Sequence, residues 1–492
     1  MQDVPERRRF ALSGATPLSL VSLARVAVQF AAIPLLARLL GPYPYGLMAV
    51  VMPVILVAMQ VSDFGLSALL IRERTRADED TGFWIGAVIS VFVTAALIGI
   101  AWFFGKRNHP EAGPVILAMA VTPWLTLAMA VPLARLTRDN RLGTIALGDM
   151  AGAVLGLGIA IYGALADWGG CLVAQQFVLL LARVLTYLVA ARYRPRLAFD
   201  RLRFRPLLAG GGSLTGSNLF VAASRTFDNL MVGMLIGPRP AGAYAMSYQF
   251  ARVPDTVIGG PIFLSLTARF AHSSQDDAAG EDGRERASAQ SVGALYTIKL
   301  HSLALVIVPA MVGLALLAHP VIWLLLGPQW TGADKVLAAL CGAGLFLALG
   351  TVTLVVMTGT GAYHLRAVQS ALQFSAVLAA VGIGALWNVV AVGWAVSTAY
   401  MLQFAYAAMA VSRRLGAPAL APIAALTLPA IGGAAMVISV FAARAAIDHP
   451  MAPIADIALY GTIGAVAYLA TNIIVRRSAI GEDLRDIMAL LK

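Results

Sequence analysis

Charge is scarce in this chain. Of its 492 residues only 12% are Asp, Glu, Lys or Arg, against roughly 25% in a soluble globular domain. Acids are scarcer than bases, 25 against 36, which leaves a net charge of +11. Cysteine is nearly absent: Cys171 and Cys341 stand alone in or beside apolar stretches, a pattern that excludes a disulfide framework and a thiolate metal site and leaves them as small packing residues. Catalytic motifs are missing as well. There is no Walker sequence, no His-Glu-x-x-His and no cluster of metal-ligand spacing. His301 and His319 sit at the ends of apolar stretches, where one interfacial hydrogen bond explains each. No cleavable signal peptide is expected, because Arg7, Arg8 and Arg9 precede an apolar run too long for one and no small-residue cleavage site follows.

Hydrophobic residues make up 59% of the chain and mean hydropathy is +0.80. Windows long enough to cross a ~30 Å hydrocarbon core fall at Thr16–Leu40, Tyr45–Ile71, Gly82–Phe104, Gly113–Ala134, Leu142–Ala166 and Trp168–Ala191. They continue at Leu207–Ile236, Ala241–Ala268, Leu300–Ala318, Val336–Met357, Ala367–Leu386 and Val389–Val411, with a last pair at Leu420–Ala442 and Pro453–Val475. The expected fold class is therefore an all-α polytopic membrane protein of about 14 transmembrane helices. In that light the basic excess belongs to loops held back during insertion, and nucleic acid is not an expected partner.

The Lys and Arg residues test this division. Every second gap collects them, 26 in all, while the alternate gaps hold 6 and the remaining four lie inside the windows. The positive-inside rule then places both termini in the cytoplasm. The longest polar stretch, Arg269–Ser291, reads as a mobile cytoplasmic linker. In the tail, Ile480, Leu484, Ile487 and Leu491 share one helical face, suited equally to the inner membrane surface and to a short solvated helix.

The chain also repeats. Leu39-Leu40-Gly41-Pro42-Tyr43-Pro44-Tyr45-Gly46 closes the first window and opens the second. Leu235-Ile236-Gly237-Pro238-Arg239-Pro240-Ala241-Gly242 does the same between the seventh and eighth, 196 residues later. Gly-Pro-x-Pro suits a tight turn, since proline ends one helix and glycine accepts a positive φ. Six spans per repeat is even, so the two copies are parallel, related by an axis along the membrane normal. The expected organisation is an N-lobe at 1–200, a C-lobe at 201–415, and two C-terminal spans with the cytoplasmic tail at 416–492. The lobes enclose a cavity.

Four arginines lie deep within windows, away from their ends: Arg25, Arg183, Arg225 and Arg252. A guanidinium at membrane depth is costly and usually functional. Arg225 with Asp228 and Arg252 with Asp255 are i,i+3 pairs that could satisfy themselves. Arg183 is about nine residues from the cytoplasmic end of its window, near enough to snorkel. Arg25 has no acid within a turn and lies about 14 Å deep, so it must face a cavity, meet a partner on another helix or snorkel. Gln29 is one turn beyond it, and the repeat offset makes Arg225 the counterpart of Gln29. Ser213, Thr215, Ser217, Asn218, Ser224 and Asn229 make the seventh window polar enough to line water or ligand. A cationic polar cavity of this kind suits phosphate or pyrophosphate.

Ala37-Arg38-Leu39-Leu40-Gly41-Pro42, Tyr45-Gly46-Leu47 and Asp63-Phe64-Gly65-Leu66 resemble the opening signature of the polysaccharide transporters, the Wzx-type oligosaccharide flippases. Phe227-Asp228-Asn229, Gly242-Ala243-Tyr244 and Leu326-Gly327-Pro328-Gln329-Trp330 fit the same family's later pattern. These belong to the multidrug/oligosaccharidyl-lipid/polysaccharide exporter superfamily, which includes multidrug antiporters and the lipid II flippase. The resemblance implies two six-helix bundles with extra C-terminal helices, in a bacterial inner membrane. It implies export of undecaprenyl-pyrophosphate-linked oligosaccharide units for exopolysaccharide, capsule or O-antigen, by alternating access and alongside a polysaccharide polymerase and export complex. Arg25 is then the first candidate for the pyrophosphate, joined by Gln29, Arg225, Arg252 and Asn218. Asp228 and Asp255 are candidates for coupling to a proton or sodium gradient, with no other cofactor expected and membrane lipid as the surrounding partner. Two alternatives stand beside this. A drug or cation antiporter of the same fold calls for an acidic cavity, whereas arginines here match or outnumber the deep acids. A polymerase or ligase calls for a sizeable external loop, whereas the first external loop is only Gly41–Tyr45.

Overall fold

The computed structural model describes residues 32–72, 75–106, 110–256, 282–447 and 452–475. Those residues form helices joined by turns and short loops, with no strand among them. Residues 32–40 are helical. They are followed by α1 (Pro42–Asp63), α2 (Leu66–Arg72), α3 (Arg76–Lys106), α4 (Ala112–Ala118), α5 (Thr122–Arg138), α6 (Leu142–Leu165), α7 (Cys171–Ala191), α8 (Arg201–Leu235) and α9 (Pro238–Ala251). After residue 281 come α10 (Asp282–Leu316), α11 (Ala318–Leu325), α12 (Ala333–Gly359), α13 (Tyr363–Gly384), α14 (Val389–Arg414), α15 (Ala421–Ala424), α16 (Thr427–Ala446) and α17 (Pro453–Val475).

Eleven helical stretches among the described residues are long and apolar enough to cross a membrane. They coincide with eleven of the fourteen sequence windows, so the chain is a multi-pass membrane protein, although a count of fourteen is not established. The first window lies mostly outside the described residues and the eighth partly so. The seventh is the 35-residue α8, whose polar side chains keep it out of the apolar set.

Local sequence explains the breaks. Phe64 and Gly65 both adopt left-handed backbone, φ 49° and 63°, and end α1 before α2 begins, so the second window is helix in two pieces. Both turn glycines of the repeat take the positive φ expected of them, 73° at Gly41 and 116° at Gly237. Asp200 caps α8 by accepting the Leu202 backbone N–H at 2.9 Å, and Asn388 caps α14 through the Ala391 N–H at 2.9 Å. The expected linker Arg269–Ser291 is corrected in part. Residues 282–291 are the first turns of α10, where Glu285, Arg286, Ala287, Ala289 and Gln290 favour helix.

Spatial proximity groups the chain into two compact units, Met1–Gly242 and Ala243–Lys492. In the first, α6 and α7 pack at backbone distance: a Cβ on Gly152 would stand 2.7 Å from the Leu179 carbonyl oxygen. Small residues permit that approach in lipid, where packing rather than hydrophobicity drives association. Tight contact also holds α8 to α1, with Gly211 against Phe64 and Gly233 against Val50. In the second unit a buried core centres on α10, α12 and α14, where the Tyr296 hydroxyl meets Thr353 at 2.9 Å. Around both units large apolar side chains such as Phe92, Trp102, Leu155 and Ile438 are exposed, the outer surface that lipid requires.

The loops assigned to one membrane side gather at one end of the first unit. Asp78, Glu79 and Asp80 at the start of α3 are each at most 2% exposed. Glu79 pairs with Arg135, whose Nε donates at 3.0 Å, and with Arg138 at 3.1 Å. Asp78 pairs with Arg203 at 3.2 Å, and Asp80 accepts from the Tyr193 hydroxyl at 3.2 Å. Arg135 also lies 4.9 Å from the centre of the Tyr193 ring. Burial raises the Tyr193 phenol above its ordinary pKa, and the charge of Asp80 adds to that, so it stays protonated and donates. Two basic segments, the end of α5 and the start of α8, are thereby tied to one acidic helix start. At what the same alternation makes the opposite side, in the second unit, Arg444 donates to the Leu316 carbonyl at 2.8 Å and lies over Tyr460.

Candidate functional site

Of the sequence candidates, Arg25 and Gln29 lie outside the described residues. Arg225, Asn218 and Asp228 all fall on α8. The Arg225 side chain is outside the described set. Asn218 is exposed and Asp228 is 5% exposed. One Asp228 oxygen accepts the backbone N–H of Asn229 at 2.8 Å, while the Asn229 side-chain oxygen is buried with no hydrogen-bond partner among the described residues. One side-chain amide oxygen of α8 is therefore buried and unused among the described residues.

Arg252 and Asp255 lie just beyond α9, in the second unit. The structure does not join them as the i,i+3 pair their spacing allows: no ion pair links them among the described residues. Asp255 instead accepts the Thr351 hydroxyl of α12 at 2.9 Å. Arg252 lies over the Tyr248 ring, 5.5 Å from its centre, and its Nε is buried without a hydrogen-bond partner among the described residues. Tyr248 in turn shares a hydrogen bond with Tyr400 of α14 at 2.8 Å. A neighbouring acid at i+3 was the sequence signal; a threonine hydroxyl on another helix won the carboxylate.

Arg183 corrects the expectation of snorkelling. Its Nε is 2.8 Å from Asp149 Oδ1 on α6, an ion pair with the N–H turned off the line to the oxygen, and the Tyr187 hydroxyl donates to the same oxygen at 2.7 Å. The signal for this was present. Counted from the window ends, Asp149 is the eighth residue and Arg183 the ninth, so both sit about 11 Å deep on helices joined by a short turn. Arg183 is therefore a partnered structural charge.

The second unit holds a group of polar residues the sequence analysis passed over. Gln369 and Gln373 on α13 and Gln403 on α14 cluster beside Thr351, Ser370 and Tyr400. Gln403 Nε2 donates to the Gln369 carbonyl at 3.2 Å and to Gln373 Oε1 at 3.3 Å. Two amides four residues apart in an apolar window were the available signal. Among the described residues no group of three His, Cys, Asp or Glu is placed to hold a metal ion. Cys171 and Cys341 are both free and buried, as expected. His301 Nδ1 bonds the Ala425 carbonyl at 2.7 Å, and His319 meets Asp334 at 3.0 Å.

Comparison with known proteins places this architecture. Residues 35–335 match the family described as polysaccharide biosynthesis protein. The succinoglycan biosynthesis transport protein ExoT of Rhizobium meliloti (strain 1021) is 29% identical over 319 residues, covering 64% of this chain and 62% of ExoT. The lipopolysaccharide biosynthesis protein WzxC of Escherichia coli (strain K12) is 24% identical over 354 residues, covering 70% of this chain and 68% of WzxC. Among solved structures, the lipid II flippase MurJ in an inward closed conformation superposes with TM-score 0.69 at 13% identity, over 94% of this chain and 100% of that one. An inward-facing multidrug resistance MATE transporter of the MOP superfamily gives 0.56 at 15% identity, over 79% of this chain and 94% of that one. The fold is thus shared with MOP-superfamily transporters, and the chain belongs to the polysaccharide biosynthesis protein family.

Proposed function

We propose that this protein is a flippase that carries undecaprenyl-pyrophosphate-linked oligosaccharide units from the inner to the outer leaflet of a bacterial inner membrane. The observation that carries the proposal is Arg252: a guanidinium within an apolar window whose i+3 acid, Asp255, is engaged by Thr351 and whose Nε has no hydrogen-bond partner among the described residues. Such a group retains donors for a phosphate oxygen. Membership of a polysaccharide biosynthesis family, and relatives named for succinoglycan transport and lipopolysaccharide biosynthesis, support a lipid-linked glycan as the bearer of that phosphate.

In this scheme Arg25 is the first pyrophosphate ligand, with Gln29, Arg225, Arg252 and Asn218 as further ligands, and the chain is organised as lobes 1–200 and 201–415. Residues 416–492 flank them, and both termini are cytoplasmic. Asp228, buried within a polar helix, and Asp255 supply the protonatable or sodium-binding groups that would couple transport to an ion gradient. The head group enters the cavity from the cytoplasm while the polyprenyl chain stays in lipid, and alternating access releases the sugars outside to a polymerase. No residue is assigned a catalytic role.

Deletion of the gene tests this in cells. Lipid-linked repeat units are expected to accumulate on the cytoplasmic side and polymer export to stop; normal export without accumulation would remove the proposal.

A further inference from the structure

Within the second unit, α12, α13 and α14 line an open cavity of about 100 Å³. Its polar lining is Thr351, Gln369, Ser370, Gln373, Tyr400 and Gln403, with phenylalanine on the walls and no charged residue. Asp255 accepts a hydrogen bond from the Thr351 hydroxyl at 2.9 Å, which leaves the lone pairs of that hydroxyl to accept. Gln369 is 8% exposed, and its Oε1 is fully buried with no hydrogen-bond partner among the described residues. A buried acceptor left empty is unfavourable, and such groups are few in native proteins. It calls for a donor that the described protein does not supply.

The position is informative too. Gln373 lies six residues into its window and Gln403 eight from the end of its own, about 9 and 12 Å from the side assigned to the cytoplasm. A ligand loaded from that side would reach the cavity early. Its chemistry can be read from the lining. Neutral amides and hydroxyls that both donate and accept match hydroxyl groups, and Phe346 and Phe404 offer apolar faces to ring C–H groups. An anion would meet the unpaired oxygen of Gln369.

We propose that this cavity is a sugar-hydroxyl subsite: it takes the hydroxyl-bearing edge of one neutral sugar ring of the transported glycan, with Gln369, Gln373 and Gln403 as its amide partners. The subsite rests on the flippase proposal and adds to it where glycan selectivity resides.

The test uses the purified full-length protein in nanodiscs and two probes. One is undecaprenyl pyrophosphate; the other is the lipid-linked repeat unit extracted from a strain deleted for this gene. The wild type should bind the second more tightly. Gln369→Leu and Gln403→Leu should each weaken binding of the repeat-bearing lipid about fivefold, the fold-change of one hydrogen bond, and not that of the bare lipid. Gln369→Leu should also keep or raise the thermal midpoint of the unliganded protein, because it removes an unsatisfied buried acceptor. Equal losses for both probes, or none, would overturn the subsite. So would stabilisation of the wild type by sodium alone that vanishes in Gln369→Leu, which marks a cation site. If the wild type binds neither probe, the flippase proposal itself falls.

Discussion

Gly46 packs directly on the carbonyl of Pro238: a Cβ built on Gly46 would stand 1.6 Å from that oxygen. The relation is reciprocal, because a Cβ on Gly242 would stand 2.1 Å from the carbonyl oxygen of Pro42. The two copies of the repeated turn therefore meet each other, each glycine against the other copy's first proline, as a two-fold relation requires. Gly46→Ala or Gly242→Ala must push backbone apart, which costs about 1–3 kcal/mol or more. A thermal midpoint lowered for both, and unchanged for Gly143→Ala, where a Cβ meets nothing within 4 Å, is the expected outcome in detergent.

Glu79 anchors the charged end of the first unit. Its side chain is 3% exposed and faces both Arg135 and Arg138. Glu79→Gln leaves two guanidinium groups without their carboxylate, a loss of about 3 kcal/mol by analogy with broken buried pairs. Chemical unfolding followed by tryptophan fluorescence should register it, and Asp139→Asn, a change at a 59% exposed side chain, should not.

Arg183 and Asp149 separate structure from transport. Asp149→Asn strands the guanidinium within the membrane and should lower the amount of inserted protein. The double substitution Arg183→Met with Asp149→Leu removes both charges and should restore insertion. Export in the double variant is expected to match the wild type; its loss despite normal insertion would make the pair part of the transport machinery.

Arg252 should behave differently. Arg252→Gln keeps a polar side chain and removes the charge, and export should fall at least tenfold at normal protein levels. Arg252→Lys keeps the charge and loses the planar fork that stacks on Tyr248, so an intermediate export rate is expected. Measurement of surface polymer against protein amount distinguishes the three.

Much of this was legible in the sequence because lipid imposes simple rules. Apolar length marked eleven of the helices found, and the alternation of basic loops put Arg135, Arg138 and Arg203 on one side, though not that Asp78 and Glu79 would receive them. The Gly-Pro-x-Pro repeat marked both turns, though not that they touch. Side-chain partners chosen across helices were harder to read. Spacing along one helix suggested Arg252 with Asp255, yet Thr351, nearly a hundred residues on, holds that carboxylate. Arg183 looked unpartnered for the same reason. The glutamines of α13 and α14 carry no charge, so a search led by charge passed over them until the fold brought them together.

Transport itself is most directly tested with the purified protein in proteoliposomes loaded with the lipid-linked repeat unit, using an impermeant sugar-oxidising reagent added outside. With wild-type protein the fraction of repeat units reached by the reagent should rise with time beyond the outer-leaflet share seen in protein-free vesicles, and Arg25→Ala should hold it at that share. An accessible fraction that stays at the protein-free value with wild-type protein, under an imposed proton or sodium gradient as well as without one, would contradict the assignment.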